Sequence, residues 1–169
     1  AELPVVTIQL PIFNEMYVAD RLIDAVCEID YPLDKLEIQV LDDSTDETRA
    51  IAELAVRRHA GRGFDIKYLH RTDRTGYKAG ALDEGLKVAR GEFIAIFDAD
   101  FVPEPSFLRR LLLEERPFDD PKVAFVQARW SFGGAGKNFF ASALALLIDR
   151  HFFVQKPTRA FVGNVTTFN

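Results

Sequence analysis

Residues 93–103 read FIAIFDADFVP, five apolar residues running into two aspartates one residue apart and then into a proline. Successive strand residues face opposite ways, so residues two apart share a face at roughly 6–7 Å. If the strand closes at Phe97, Asp98 and Asp100 both project from the end of a sheet. Two carboxylates that close repel unless hydration or a cation intervenes. A hard divalent ion with oxygen ligands suits such a pair, and Mg²⁺ commonly bridges carboxylates to a substrate phosphate. An isolated DxD is equally well read as a solvated strand end, so the rest of the chain has to decide.

The cationic counterpart is RTDRTGYKAGALDEG, which sets Arg71, Arg74 and Lys78 around Gly76 and Gly80. Gly76 allows a tight turn and Gly80 a close approach. Lys78 falls in the first turn of an expected helix, where its charge opposes the helix dipole unless an anion also docks there. The spacing is neither a Walker loop nor a GxGxxG fingerprint. A diphosphate, a cation held by Asp98 and Asp100, and Lys78 make one electrostatically consistent set. Glu15 in FNE and Asp42–Asp43 in LDDS follow earlier strands, where acids accept from ribose hydroxyls or a base N–H. Loop solubility is the plainer account of those acids.

The elements that carry these residues alternate. VVTIQL (5–10), closed by Pro11, LEIQVL (36–41), FDIKYLH (64–70), FIAIF (93–97) and KVAFVQARW (122–130) read as strands. Helical spacing covers about 15–28, 46–59 (capped by Ser44 or Thr45, with Ile51, Leu54 and Ala55 inward), 76–90 (Gly91 at its C-terminal cap), a segment from Pro105 or Ser106, and 138–155. The all-apolar fourth strand suggests burial on both faces. Strands separated by helices imply an α/β, Rossmann-like architecture with a mainly parallel sheet and a single domain over 1–169. In such sheets ligands sit outside the strands' carboxyl ends, where the quoted loops fall.

Composition narrows the function. With 169 residues, 28% charged and a formal net charge of −5, the chain lacks the basic excess of a nucleic-acid binder. Cys27 is the only cysteine, so neither a disulfide framework nor a cysteine zinc site is available, and a reducing compartment fits. The longest apolar run, FFASALALLI, is half of what a bilayer span needs.

In order and spacing, LPIFNE, LDDSTDET, RTGYKAGALDEGL, FDADFVP and VQARWSF resemble a family 2 glycosyltransferase of GT-A fold, in the cellulose-synthase-like and mannan-synthase-like membrane branch. The resemblance implies inverting, Mg²⁺- or Mn²⁺-assisted transfer of a hexose from a UDP- or GDP-sugar to a glycan or lipid hydroxyl. Carried over by motif, Asp98 and Asp100 are similar to the metal-binding DxD, Asp98 also meeting the donor. Lys78 resembles the lysine on the diphosphate, and Glu15 with Asp42 or Asp43 the residues around the nucleoside. The family's catalytic aspartate and QxxRW motif lie downstream of FVGNVTTFN, and QARW (127–130) is one residue short of that motif. The general base is therefore expected beyond Asn169, which makes residues 1–169 a C-terminally incomplete, donor-binding half. Membrane embedding at a cytosolic face is expected through segments not in this chain, the present residues being soluble and without transfer activity alone. Two alternatives stand beside this: a non-catalytic nucleotide-sugar-binding module, and a haloacid-dehalogenase-type phosphatase with Asp98 as nucleophile.

Overall fold

A computed structural model of the chain describes residues 2–128. The chain divides into two compact units, Ala1–Pro117 and Phe118–Asn169. The first contains, in order, β1 (Val6–Ile12), α1 (Ala19–Cys27), β2 (Leu36–Asp42), α2 (Thr48–Ala60), β3 (Asp65–His70), α3 (Tyr77–Leu86), β4 (Phe93–Ile96) and α4 (Phe107–Arg109), which runs into a π-helical Arg110–Glu115. The four strands are all parallel in the order β3-β2-β1-β4. Strand order reverses between β1 and β4, so the crevice above their carboxyl ends is the place for a ligand in an open α/β sheet.

The two faces of the sheet differ because β1 and β2 alternate. Val6, Ile8, Leu10 and Ile12 with Leu36, Ile38 and Val40 point to one side, where Leu22, Ile23 and Val26 of α1 and Ala52, Ala55 and Val56 of α2 join them in one core. Ala19, Leu22, Ile23 and Val26 recur at helical spacing, which gives α1 a single apolar stripe. Each fully buried Leu, Ile or Val contributes roughly 1.5–3 kcal/mol, so this side dominates the stability. The other side is polar yet buried. Thr7 donates to Glu37 at 2.6 Å, Lys67 donates to Glu37 at 2.6 Å, and Gln9 donates to Gln39 at 3.0 Å. There α3 lies close: a Cβ added at Gly85 would come within 2.6 Å of Gln9 Nε2 and 2.7 Å of Gln39 Oε1.

Several expectations need correcting. Pro11 does not close β1, which continues to Ile12 beside β2. Its effect falls on the other neighbour. The Gln9 carbonyl accepts from the Phe97 N–H at 3.2 Å, and Pro11, next in that series, has no N–H to continue the ladder. Pairing of β1 with β4 ends at Gln9 and Ile96, so the chain is free to turn away at Asp98. The fourth strand is not buried on both faces; Phe93 and Ala95 pack on the core, but Ile96 is 49% exposed. Among the described residues β4 is the sheet's edge.

Gly91 does not cap α3, which stops at Leu86. A side chain at Gly91 would overlap the backbone nitrogen of Thr7, and its N–H donates to Thr7 Oγ1 at 2.8 Å. Neither Ser44 nor Thr45 caps α2, which begins at Thr48 after Asp46 Oδ1 accepts from the Thr48 N–H. Leu54 faces solvent and Ile51 is half-buried, while Ala52, Val56 and His59 take the inner face with Ala55. The fifth strand does not form over 122–128, and 129–130 fall outside the described residues. The helix expected over 138–155 also lies outside them. No described helix is long and apolar enough to cross a membrane.

Candidate active site

The loops after the four strands are laced together by side chains. Asn14, at φ 53°, receives its place from the second loop: its N–H donates to Ser44 Oγ at 2.9 Å and its Oδ1 accepts from the Thr45 N–H at 2.9 Å. Asn is among the few residues that tolerate this left-handed conformation. Just after it, the Glu15 carbonyl accepts from the N–H groups of Val18 and Ala19 and starts α1.

The adjacent acids Asp42 and Asp43 part company. Asp42 is fully buried, and both its oxygens are taken, Oδ1 by the Ser44 N–H at 2.9 Å and Oδ2 by the Tyr68 hydroxyl at 2.5 Å. Burial and that bond push the Tyr68 phenol well above its ordinary range. Asp42 therefore shapes the loop from beneath. Asp43 faces the third loop, where Arg71 Nε donates to its Oδ1 at 2.8 Å and Nη2 to its Oδ2 at 2.6 Å. Asp43 is buried too, and Arg74 Nε lies 3.9 Å from its Oδ2, so only the lone pairs that the two arginines leave could accept from a ligand.

Lys78 is the second residue of α3 and reaches across to the fourth loop, where its Nζ donates to Asp98 Oδ1. The lysine at a helix start is thus no misfit: it is matched to an acid on the neighbouring strand end. Phe97 and Ala99 are buried, whereas Asp98 is half-buried and Asp100 exposed. The DAD segment therefore turns both carboxylates away from the core, and the Phe101 N–H closes the turn onto the Asp98 carbonyl at 2.9 Å.

Glu15 belongs to the same cluster. Burial raises its pKa, a backbone hydrogen bond from Phe13 opposes this, and the negative charges of Asp100 and Asp98 add to the rise while Lys78 lowers it. Three acids and one ammonium thus share the crevice at the switch between β1 and β4, with one negative charge unrelieved even if Glu15 is protonated. All the donors are carboxylate oxygens, the set that suits Mg²⁺ or Mn²⁺. Among the described residues no group of three acidic, histidine or cysteine side chains is placed to hold a metal ion by itself. The residues fit a cation that takes its remaining ligands from a bound molecule and from water.

Two features of the site had little signal in the sequence. The guanidinium of Arg74 lies 3.3 Å over the Phe13 ring and 5.3 Å from that of Tyr77. Tyr68 supports Asp42 from a strand, and only its pairing register (beside Val40) brings it there. Cys27 is buried, and desolvation lifts its thiol to about 12, so it takes no part in nucleophilic chemistry.

A four-stranded parallel sheet with helices on both faces, and acids and a lysine gathered at its switch point, is an open α/β architecture of the kind the GT-A glycosyltransferases share. Residues 7–167 match the pattern of Glycosyl transferase family 2, and the chain belongs to that family. It is 45% identical over 170 residues to glucomannan 4-beta-mannosyltransferase 2 of Arabidopsis thaliana, covering 95% of this chain and 31% of that protein. The chain thus spans about a third of the curated relatives it matches.

Among solved structures it is similar to the mannosyltransferase PcManGT from Pyrobaculum calidifontis in complex with GDP-Man and Mn²⁺, with 34% identity and a TM-score of 0.59 over 66% of this chain and 33% of that one. S. aureus TarS 1-349 in complex with UDP follows at 25% identity and 0.52, over 62% of this chain and 30% of that one. Family membership removes the phosphatase reading.

Proposed function

We propose that this chain is the donor-binding part of a glycosyltransferase that takes a hexose from a nucleoside-diphosphate sugar, GDP-mannose first among them, to a glycan hydroxyl with inversion. The observation that carries this is the Lys78–Asp98 pair with Asp100 and Glu15 at the carboxyl ends of β1 and β4. Support for the donor comes from the archaeal mannosyltransferase held with GDP-Man and Mn²⁺. Support for a glycan acceptor comes from the names of the plant relatives. UDP is the second choice, on the likeness to TarS with UDP.

In this reading the diphosphate lies along the start of α3, and Lys78 leaves Asp98 to meet it. Asp98 and Asp100 would hold a divalent cation, which when bound neutralises phosphate charge as a Lewis acid. As the bond from the anomeric carbon to the diphosphate breaks, negative charge grows on the leaving oxygen, and the Lys78 ammonium stabilises it from a fixed position. Glu15 and Asp43 accept hydrogen bonds from the nucleoside, with Asp42 bracing the loop beneath Asp43. The acceptor hydroxyl attacks from the opposite face of the sugar, and its proton passes to a carboxylate acting as general base. Membrane embedding of the intact protein, with this part on the cytosolic side, belongs to the same proposal.

Titration calorimetry with GDP and UDP, with and without Mn²⁺, tests the reading. GDP with Mn²⁺ is expected to bind tightest, and Asp100→Ala to remove the metal-dependent part. Equal GDP binding with and without Mn²⁺, unchanged in Asp100→Ala, would sink the assignment.

A further inference from the structure

The loop between β3 and α3 carries a backbone that needs holding. Gly76 and Tyr77 stand in succession at φ 76° and 49°. The left-handed region suits glycine, but a bulky aromatic residue is rarely found there. Tyr77 is mostly exposed; its N–H donates to the Arg74 carbonyl at 2.7 Å and its ring meets the Arg74 guanidinium at 5.3 Å. Beside these local bonds, Arg71 ties the turn to the neighbouring loop. Its Nη1 donates to the Thr75 carbonyl at 3.3 Å and its Nη2 to the Tyr77 carbonyl at 2.9 Å, on either side of Gly76. The same guanidinium makes the paired bonds to Asp43, and the Arg71 N–H donates to the Asp42 carbonyl at 3.0 Å.

The surroundings are cut to fit this guanidinium. A Cβ at Gly80 would come within 2.9 Å of Arg71 Nη1 and would overlap the Thr75 carbonyl oxygen. Gly80 is therefore needed where the turn, the first turn of α3 and the arginine converge. Asp73 fixes the outer half of the loop, accepting from the Thr75 N–H at 2.9 Å and from the Thr75 hydroxyl at 2.8 Å. Lysine cannot substitute for Arg71, because a single ammonium lacks the planar fork that reaches a carboxylate and two carbonyls at once.

We propose that Arg71 is a positioning residue that joins Asp43 and the turn before Lys78 into one rigid unit, so that the nucleoside and diphosphate ends of the donor are read at a fixed separation. This rests on the donor site described above, with Asp43 and Lys78 at its two ends. Arg71 acts through those two residues. Its guanidinium is already committed to the carboxylate and to two backbone carbonyls.

The test is calorimetric titration of the intact protein with GDP in the presence of Mn²⁺, using Arg71→Ala, Arg71→Lys, Lys78→Ala and the double variant Arg71→Ala/Lys78→Ala, with thermal midpoints recorded alongside. Arg71→Ala is expected to weaken GDP by about tenfold or more. The double variant is expected to lose at least about threefold less than the product of the two single losses, because a lysine already removed cannot be mispositioned. Arg71→Lys is expected to stay impaired while keeping a midpoint close to the parent protein, and it carries the test if the alanine variant does not fold. A lowered midpoint with unchanged GDP affinity in both Arg71 variants overturns the inference, as does full multiplicativity with Lys78→Ala. Unchanged affinity in Lys78→Ala overturns the donor-site reading and this inference together, whereas loss in Lys78→Ala alone overturns only the role of Arg71.

Discussion

Glu15 shows how a residue proposed for the donor site can work against the fold that carries it. Its carboxyl is partly desolvated and faces Asp98 and Asp100, which together raise its pKa despite Lys78 and the Phe13 hydrogen bond. A carboxyl whose pKa is raised on folding binds its proton more tightly in the native state, so stability falls as pH climbs from the ordinary glutamate range through the raised value. Glu15→Gln removes that charge. The variant is expected to have a higher thermal midpoint than the parent at pH 7.5, the gain vanishing near pH 4, and to bind GDP with Mn²⁺ about tenfold more weakly. Melting curves at the two pH values and one titration check both halves. At this scale the sequence singled out Lys78, Asp98 and Asp100 by type, but not the ion pair that joins Lys78 to Asp98. It left Asp42 and Asp43 undivided, since which of two neighbours points down depends on the register that brings Tyr68 under one and Arg71 over the other.

The elements were legible where one period ruled and obscure where neighbours decided. The apolar stripe of α1 and the alternation of β1 and β2 dictate their structure locally. The interruption of β1–β4 pairing by Pro11 and the clearance at Gly91 arise from contacts more than 80 residues apart in sequence, which no local pattern encodes. The polar face under α3 belongs to this second kind. Burial pushes the Glu37 carboxyl up, but hydrogen bonds from Lys67, Thr7 and the Arg90 N–H outweigh it and hold the group below the usual glutamate range. A carboxyl depressed on folding stabilises the native state above its unfolded pKa, and that stability is lost as pH falls through the folded value. Glu37→Gln keeps the shape and loses the charge. It is expected to lower unfolding free energy at pH 7 by about 1–3 kcal/mol, with the gap from the parent closing as pH drops below 4. Urea denaturation across that range measures it, and an unchanged gap at low pH would show that the carboxylate charge is not what secures the layer.

Across the whole molecule, charge sets the terms of binding. The chain carries a net −5, and three acids converge on the crevice where a diphosphate is proposed to lie. A diphosphate arriving alone adds to that repulsion and gains only Lys78, which must first leave Asp98. A divalent cation arriving alone meets two carboxylates, one of them already paired, and no complete cage among the described residues. Each partner supplies what the other lacks, so the two should bind with positive coupling, and linkage makes that coupling the same whichever enters first. A ligand that binds only the folded state raises its apparent stability, by about 2.7 kcal/mol at a hundredfold excess over Kd. Thermal unfolding with Mn²⁺, with GDP, and with both is therefore expected to show small shifts for either alone and a joint shift well beyond their sum. A chelator is expected to return the midpoint to that of GDP alone. Strictly additive shifts would mean that the acids and the lysine bind their ligands as separate sites, and the single donor crevice would have to be abandoned.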